Sequence, residues 1–270
     1  MADIVCSIVL YNHGEEDILP LANELLASEN IKKLVFVDNG GSEWVKKWVS
    51  ERVAYLNPGS NIGYGAGHNM ALREFGHEGC YYLVSNPDIS LDAKSLSILR
   101  EEIELLDVGL IIPDIRYLDG RRQEACKLLP TPLNLFVRRF LPALAQRLDH
   151  SYMMRDIDFT RPVFAPFLSG CFMFFRTEAL RAVNGFDERY FMYMEDIDLS
   201  RRVAERFGAM YTPRTTIYHG FQKGSYTDKR LLRIHIRSAF LYFNKWGWIF
   251  DRSRWKMNKK ARAQFRKNNV

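Results

Sequence analysis

The sequence predicts an α/β protein: a mostly parallel sheet flanked by helices, with a basic helical segment at the C-terminal end. Three observations carry this. Over the first 110 residues, short apolar runs alternate with segments of helical spacing. Polar turns at 11–13, 38–42 and 85–88 lie at the ends of such runs, and ligands of parallel sheets bind beyond the carboxyl ends of the strands. Charge is segregated. Residues 1–228 hold 25 Lys and Arg against 31 Asp and Glu, whereas residues 229–270 hold 13 basic residues and only Asp251.

The elements follow in order. Asp3 to Leu10 contains a buried strand, and Glu15 to Ser28 places Ile18, Leu21, Leu25 and Leu26 on one helical face. Leu34 to Val37 is a second strand that runs into Asp38-Asn39-Gly40-Gly41-Ser42. Residues 43–50 suggest a helix, and Val53 to Leu56 a third strand. Asn57 to Asn69 is glycine-rich and polar, and Met70 to Phe75 continues it as a helix. Tyr81 to Val84 is a strand ending at Ser85-Asn86-Pro87-Asp88. Leu96 to Leu106 reads as an amphipathic helix and Val108 to Ile112 as a strand. Residues 113–160 are rich in Arg, Pro and Leu without a period, and read as a mobile or acceptor-facing insertion. Phe167 to Phe175 is apolar again. Glu195 to Phe207 is a helix with Leu199, Val203 and Phe207 on one face, acids in its first turn and Gly208 as its stop.

Cys6, Cys80, Cys126 and Cys171 show neither metal-site nor redox spacing, and each lies in or beside an apolar run. Buried free thiols in a reducing compartment are expected. Met1 to Leu10 lacks the basic start and long apolar run of a signal peptide. No window approaches the ~20 apolar residues of a membrane-spanning helix. The expected location is cytoplasmic, or peripheral to a membrane. A basic, aromatic end seeks a polyanion or an anionic membrane surface.

Four constellations can carry chemistry. Asn86-Pro87-Asp88 sets a carboxylate at a strand end, where it can hold a divalent metal; an ordinary turn uses the same residues. The glycines at 59, 63, 65 and 67 can bring backbone N–H groups close to a ligand, or simply form a long turn. The run lacks the full dinucleotide fingerprint. Glu195-Asp196-Ile197-Asp198 packs three carboxylates into four residues, which raises their pKa values unless a cation or substrate compensates. One of them can act as a general base. Favourable pairing with the helix dipole is the plainer alternative, but the apolar run Phe191 to Met194 shields this helix start. His219 follows the strand-like stretch Thr215 to Tyr218, and Lys223 and Ser225 behind it can contact phosphate oxygens.

The order and spacing of these motifs resemble the inverting glycosyltransferases of GT-A family 2, and within it the bacterial rhamnosyltransferase-like branch. The residues that carry the resemblance are Ser7 to Asn12, Val37-Asp38-Asn39, Asn61 to Asn69, Ser85 to Asp88, Asn184 to Glu188, Phe191 to Leu199, and His219. The resemblance implies a GT-A fold, Rossmann-like, over residues 1–228. It assigns a nucleotide-binding half at 1–110 and an acceptor and catalytic half at 161–228, followed by the tail at 229–270. It implies that Tyr11, Asn12 and Asp38 line the nucleoside pocket, and that Asn61, Gly67 and Asn69 close over the nucleotide. Asn86 stands where the family's metal motif has its first Asp. Asp88 and His219 would hold a divalent cation, Mg²⁺ or Mn²⁺. Asp196 would be the catalytic base, supported by Glu195 and Asp198, with Lys223 and Ser225 near the diphosphate. Two positions depart from the pattern: Gly40-Gly41-Ser42 replaces an Asn-Ser-Thr/Ser turn, and Asn184 replaces a common Gly.

The implied reaction moves L-rhamnose from dTDP-L-rhamnose to a hydroxyl of a polyprenyl-diphosphate-linked saccharide, in O-antigen or other surface-polysaccharide synthesis. UDP-Gal, UDP-GlcNAc or a GDP-sugar are the alternative donors. The tail, which interleaves Arg233, Arg237, Lys245, Arg252, Arg254 and Lys256 with seven aromatic residues, suits a lipid headgroup interface. A nucleotidyltransferase would share the early strands but would not need Glu195, Asp196 and His219 at this spacing. Nucleic-acid binding through the tail is opposed by the acidic body and the lack of a nucleic-acid motif.

Overall fold

The computed structural model describes residues 3–92, 94–140, 150–220 and 229–264. Strand β1 (Ile4–Leu10) is buried at every position, as a strand covered on both faces requires. It lies between β2 (Ile31–Asp38) and β4 (Tyr81–Ser85), parallel to both, and β3 (Val53–Leu56) pairs in parallel outside β2. The strand β10 (Phe172–Arg176) then enters antiparallel between β4 and β6 (Leu110–Arg116). The sheet continues through β11 (Ala209–His219), parallel to β6, to the short β5 (Ile89–Leu91). A further short strand, β8 (Val163–Phe164), pairs with β11, and β7 (Cys126–Lys127) pairs with β9 (Phe167–Leu168) in a separate ribbon. The expected sheet is therefore present, mixed rather than uniformly parallel.

Helices α1 (Glu15–Ala27), α2 (Tyr64–Phe75), α3 (Ser95–Leu105), α4 (Pro132–Phe140), α5 (Thr177–Ala182) and α6 (Glu195–Arg206) follow the chain order. Residues 43–48 form a 3₁₀ turn rather than an α-helix. Helix α2 starts within the glycine-rich run, six residues before its expected start at Met70. A Cβ on Gly67 would lie 2.8 Å from the Val9 side chain, and one on Gly65 would lie 2.8 Å from Phe186. The glycines therefore let a helix lie close against the sheet.

Residues 113–160 contain elements that their lack of period does not reveal. Strand β6 runs on to Arg116, and Leu128, Leu129, Tyr152, Met153 and Met154 are buried. Part of the described segment thus packs into the core, while Leu118 and Leu133 stay exposed. The cysteines divide: Cys6, Cys126 and Cys171 are buried, but Cys80 is exposed.

The tail is docked through two helices, α7 (Lys229–Trp246) and α8 (Arg252–Arg262). Tyr242, Phe243, Met257 and Ala261 join the same apolar cluster as the sheet. The fully buried Arg201 of α6 binds both carboxylate oxygens of Asp251, at 2.7 and 2.5 Å, and stacks on Trp246 with 3.8 Å between guanidinium and ring centre. A buried charge persists only when paired in this way. Lys245 and Arg254, counted above among the cations of a headgroup interface, point inward: Lys245 reaches Asp187 and Asp198, and Arg254 reaches the carbonyls of Pro130 and Ile249. No helix among the described residues is long and apolar enough to cross a membrane.

Candidate active site

The cleft begins where β1, β2 and β4 end. At the end of β2, Asp38 is buried; its Oδ1 accepts from the amides of Gly40 (2.8 Å) and Ser42 (3.1 Å), and its Oδ2 from the Tyr55 hydroxyl (2.9 Å). Asp38 thus shapes the 38–42 turn. Gly40 and Gly41 have φ of +139° and +79°, and Asn12 crowds the space a Cβ at 41 would fill. This accounts for the departure at Gly40-Gly41-Ser42. Asn12 itself has φ of +56° and donates its amide to the Gly40 carbonyl at 2.8 Å, while Tyr11 stands exposed beside Gly40. The other departure has a similar cause: Asn184 has φ of +58°, a region that Asn tolerates better than most residues.

The Asn61 carboxamide accepts from the Gly63 amide at 3.0 Å, and Asn39 donates to the Gly63 carbonyl at 3.0 Å. Tyr64 donates its amide to the Phe191 carbonyl at 3.0 Å, which ties this loop to the segment leading into α6. Gly67 and Asn69 lie deeper. The Asn69 carboxamide donates to the Phe186 carbonyl (2.8 Å) and to Glu188 (2.9 Å) and accepts from the Phe186 amide (2.8 Å). Its side chain latches the 186–188 turn, and Gly67 faces Val9 and Val37.

Asp88 and His219 come together although 131 positions separate them. His219 Nε2 lies 3.3 Å from Asp88 Oδ1 and 3.3 Å from Asn86 Nδ2. On the other side of the ring, Nδ1 lies 3.0 Å from Gln123 Oε1, and Gln123 Nε2 donates to the His219 carbonyl at 3.0 Å. Because that amide oxygen can only accept, Nδ1 carries a proton and Nε2 is the atom turned to Asp88. Burial lowers the His219 pKa, but the Asp88 and Cys171 hydrogen bonds outweigh it and push it up to about 10. Burial raises Asp88, and the His219 bond and charge outweigh that and hold it below its ordinary value. The His219 Nε2 and Asp88 Oδ1 atoms stand side by side, a nitrogen and a carboxylate oxygen of the kind that can hold a divalent cation. Among the described residues no group of three or more His, Cys, Asp and Glu side chains forms a ready ligand set. Two protein donors fit a cation whose remaining ligands are diphosphate oxygens. Gln123 escaped the sequence reading because it lies in a stretch without period, and its partner is 96 positions away.

The acidic helix start lies near the same region, since Glu195, Asp196 and Asp88 all act on the Tyr64 hydroxyl. Tyr193 and Met194 both have left-handed backbones, with φ of +68° and +69°, immediately before Glu195. Such strain in bulky residues is characteristic of functional turns. Asp196 Oδ2 accepts from the Gly170 amide at 3.1 Å, and Oδ1 from the Ile197 amide at 2.9 Å. A Cβ on Gly170 would stand 2.8 Å from the Asp196 Cβ, so glycine permits this approach. Burial raises the Asp196 pKa, against the Gly170 hydrogen bond and the charge of Lys127. Burial, and then the Asp196 charge, raise Glu195 well above its usual range; its Oε2 is enclosed without a partner. Asp198 is spent on structure: it is fully buried and accepts from Arg202, Lys245 and Trp246, each at 2.7 Å.

Tyr64 links the two acidic positions. Its buried hydroxyl lies 2.7 Å from the Gly170 carbonyl and 3.0 Å from the Asn86 carboxamide. The Gly170-Cys171 segment also accepts the Asn86 amide, at 2.7 Å through Cys171 O. Asn86, Tyr64 and Gly170 thus lie between the Asp88–His219 pair and Asp196. Lys223 and Ser225 lie outside the described residues.

No family model matches the chain. It is 27% identical over 276 residues to an N-acetylglucosaminyl-diphospho-decaprenol L-rhamnosyltransferase of Mycobacterium tuberculosis, spanning 94% of this chain and 89% of that protein. It is 26% identical over 253 residues to rhamnosyltransferase WbbL of Escherichia coli, spanning 87% and 91%. Its fold matches a crystal structure of GalNAc-T7 with UDP, GalNAc and Mn²⁺, with a TM-score of 0.63 and 13% identity. That match covers 88% of this chain and 48% of the other, so the chain spans about half of that longer protein. The resemblance read from the motifs is borne out: the chain has the GT-A fold and stands, over nearly its whole length, among relatives named as glycosyltransferases.

Proposed function

We propose that the chain is an inverting, cation-dependent glycosyltransferase that moves L-rhamnose from dTDP-L-rhamnose to a hydroxyl of a lipid-linked saccharide in surface-polysaccharide synthesis. The observation that carries this reading is the meeting of Asp88 and His219 close to the shielded Asp196, with Asn86, Tyr64 and Gly170 between them. The relatives support the sugar and the acceptor: one is named for L-rhamnosyl transfer to a diphospho-decaprenol saccharide.

The nucleoside lies over the 11–12 and 38–42 turns, with its diphosphate toward Asp88. A bound divalent cation supplies charge neutralisation for the departing nucleoside diphosphate. Asp196, whose raised pKa matches a proton acceptor, takes the proton of the acceptor hydroxyl as the oxygen attacks the anomeric carbon. The glycosidic bond forms as the bond to the diphosphate breaks, and the anomeric centre inverts in one displacement. Gly170 and the apolar 191–194 segment keep the base oriented and shielded. The enzyme acts at the cytoplasmic face of the cell membrane, where a polyprenyl-diphosphate acceptor resides.

The test is turnover of purified protein with a panel of nucleotide sugars, Mg²⁺ or Mn²⁺, and an N-acetylglucosaminyl-diphospho-lipid acceptor. Release of dTDP with a rhamnosylated product of inverted configuration is expected. Release of UDP or GDP from another donor would keep the transferase and replace the sugar. Pyrophosphate release would instead indicate a nucleotidyltransferase.

A further inference from the structure

The tail's aromatic residues divide into two sets once the chain is folded. Tyr242 and Phe243 are buried and Trp246 is partly buried under Arg201. Phe240, Trp248, Phe250 and Trp255 face outward, and Ile249 joins them. The two outermost side chains are consecutive, in the turn between α7 and α8: Ile249 is 78% and Phe250 93% exposed. They are continuous with their neighbours. Phe240 and Trp248 meet edge to face at 5.1 Å between ring centres, and Ile249, Phe250 and Trp255 line one groove of about 950 Å³.

Cations flank this apolar tip. Arg252, Lys259 and Arg262 line the same groove, and the Lys259 ammonium sits 4.9 Å from the Trp255 ring centre. Arg233 and Arg237 are exposed on α7, in register with Ile236 and Phe240 on the same helical face. The one acid of the tail, Asp251, is neutralised inside by Arg201, so the tail itself adds no free acid to this surface. Apolar side chains at a tip with a basic surround match a bilayer interface of anionic lipid: the rings and Ile249 enter the acyl boundary, and the cations meet the phosphates.

We infer that the 247–250 turn, with Trp255, is a wedge that inserts into an anionic bilayer, and that the Arg201–Asp251 clamp fixes it rigidly to the catalytic helix. Arg201 lies five residues from Asp196, about 7.5 Å along the helix axis at 1.5 Å per residue. The wedge therefore sets the position of the cleft against the membrane that carries the acceptor. This inference rests on the lipid-linked acceptor proposed above for its purpose, but its physical basis is the exposed tip.

The experiment is co-sedimentation of the full chain with vesicles of equal parts phosphatidylglycerol and phosphatidylcholine, and with phosphatidylcholine alone. Wild type partitions onto the anionic vesicles, less so as salt rises. The double variant I249D/F250D loses about tenfold or more of that partitioning with an unchanged Tm, because both side chains are solvent-exposed in the free protein. Leu118→Asp, at an equally exposed leucine away from the tail, partitions like wild type. Nucleoside diphosphate release with a short-chain, water-soluble acceptor stays unchanged in I249D/F250D. Absence of wild-type binding, or equal binding by I249D/F250D, overturns the wedge. So does self-association of wild type that I249D/F250D abolishes while vesicles are ignored; the tip would then join copies of the chain. Failure of the soluble-acceptor assay in wild type, with vesicle binding intact, would strike the transferase reading and leave the wedge standing.

Discussion

Asp88 and Glu195-Asp196 are acids that both lie near the Tyr64 hydroxyl, and their surroundings differ in kind. Asp88 stands on a turn beyond β4 with 43% of its side chain exposed, beside an imidazole that keeps it charged. Glu195 is buried with an oxygen left unpartnered, and Asp196 is held by backbone amides with a pKa displaced upward. A carboxylate that stays ionised next to solvent suits a cation. One whose charge is disfavoured by enclosure suits the gain of a proton. The proposed mechanism uses this contrast: charge handling at Asp88 and proton handling at Asp196, with Tyr64 between them.

Variants that remove one group at a time break or sharpen this division. The largest effect is expected from Asp196→Asn, which removes the proton acceptor; kcat should fall about 10²–10⁴-fold with donor KM little changed. In wild type the same residue predicts the acid limb of kcat/KM. The base works only when deprotonated, so the rate rises with pH through its pKa, and the midpoint lies above the ordinary aspartate value of 3.8. Asp88→Ala comes next, about a hundredfold in turnover at fixed cation, and a cation titration should show the requirement moved to higher concentration. Gln123→Leu leaves the His219 ring unoriented and should weaken cation affinity about tenfold, measured by Mn²⁺ titration in the presence of nucleotide. Tyr64→Phe is the smallest. It leaves the Gly170 carbonyl short of a donor, worth about 1 kcal/mol, and should lower kcat a few-fold while leaving cation dependence intact.

How legible these features were depends on their range. The strands β1, β3 and β4 and the polar turns beyond them rest on contiguous residues, so the apolar run and its punctuation reveal them directly. The place of β10 between β4 and β6 depends on pairing with residues more than 60 positions away, which no local pattern encodes. Helix α2 was obscured because Gly65 and Gly67 look like loop residues until the close face of Val9 and Phe186 is known. Among the candidate residues, Asp88, His219 and Asp196 come together around Asn86, Tyr64 and Gly170. Asp38, Asn61 and Asn69 each hold backbone geometry, a role that shares its residue types with ligand contact. The tail read as a uniformly basic, aromatic surface, yet Lys245, Arg254, Tyr242 and Phe243 turn inward. Tyr242 meets Arg201 and Lys245 meets Asp198 on α6, and Arg254 meets Pro130 before α4, partners 41 to 124 positions away and beyond any charge pattern along the helix.

The central claim is that Asp196 carries the proton while Asp88 and His219 carry the charge. It is tested most directly by measuring cation-dependent nucleotide binding and turnover on the same preparation of Asp196→Asn, with donor and acceptor saturating. The prediction is unchanged cation-dependent nucleotide binding with turnover lost. Near-normal turnover would contradict the claim, as would loss of nucleotide binding together with turnover.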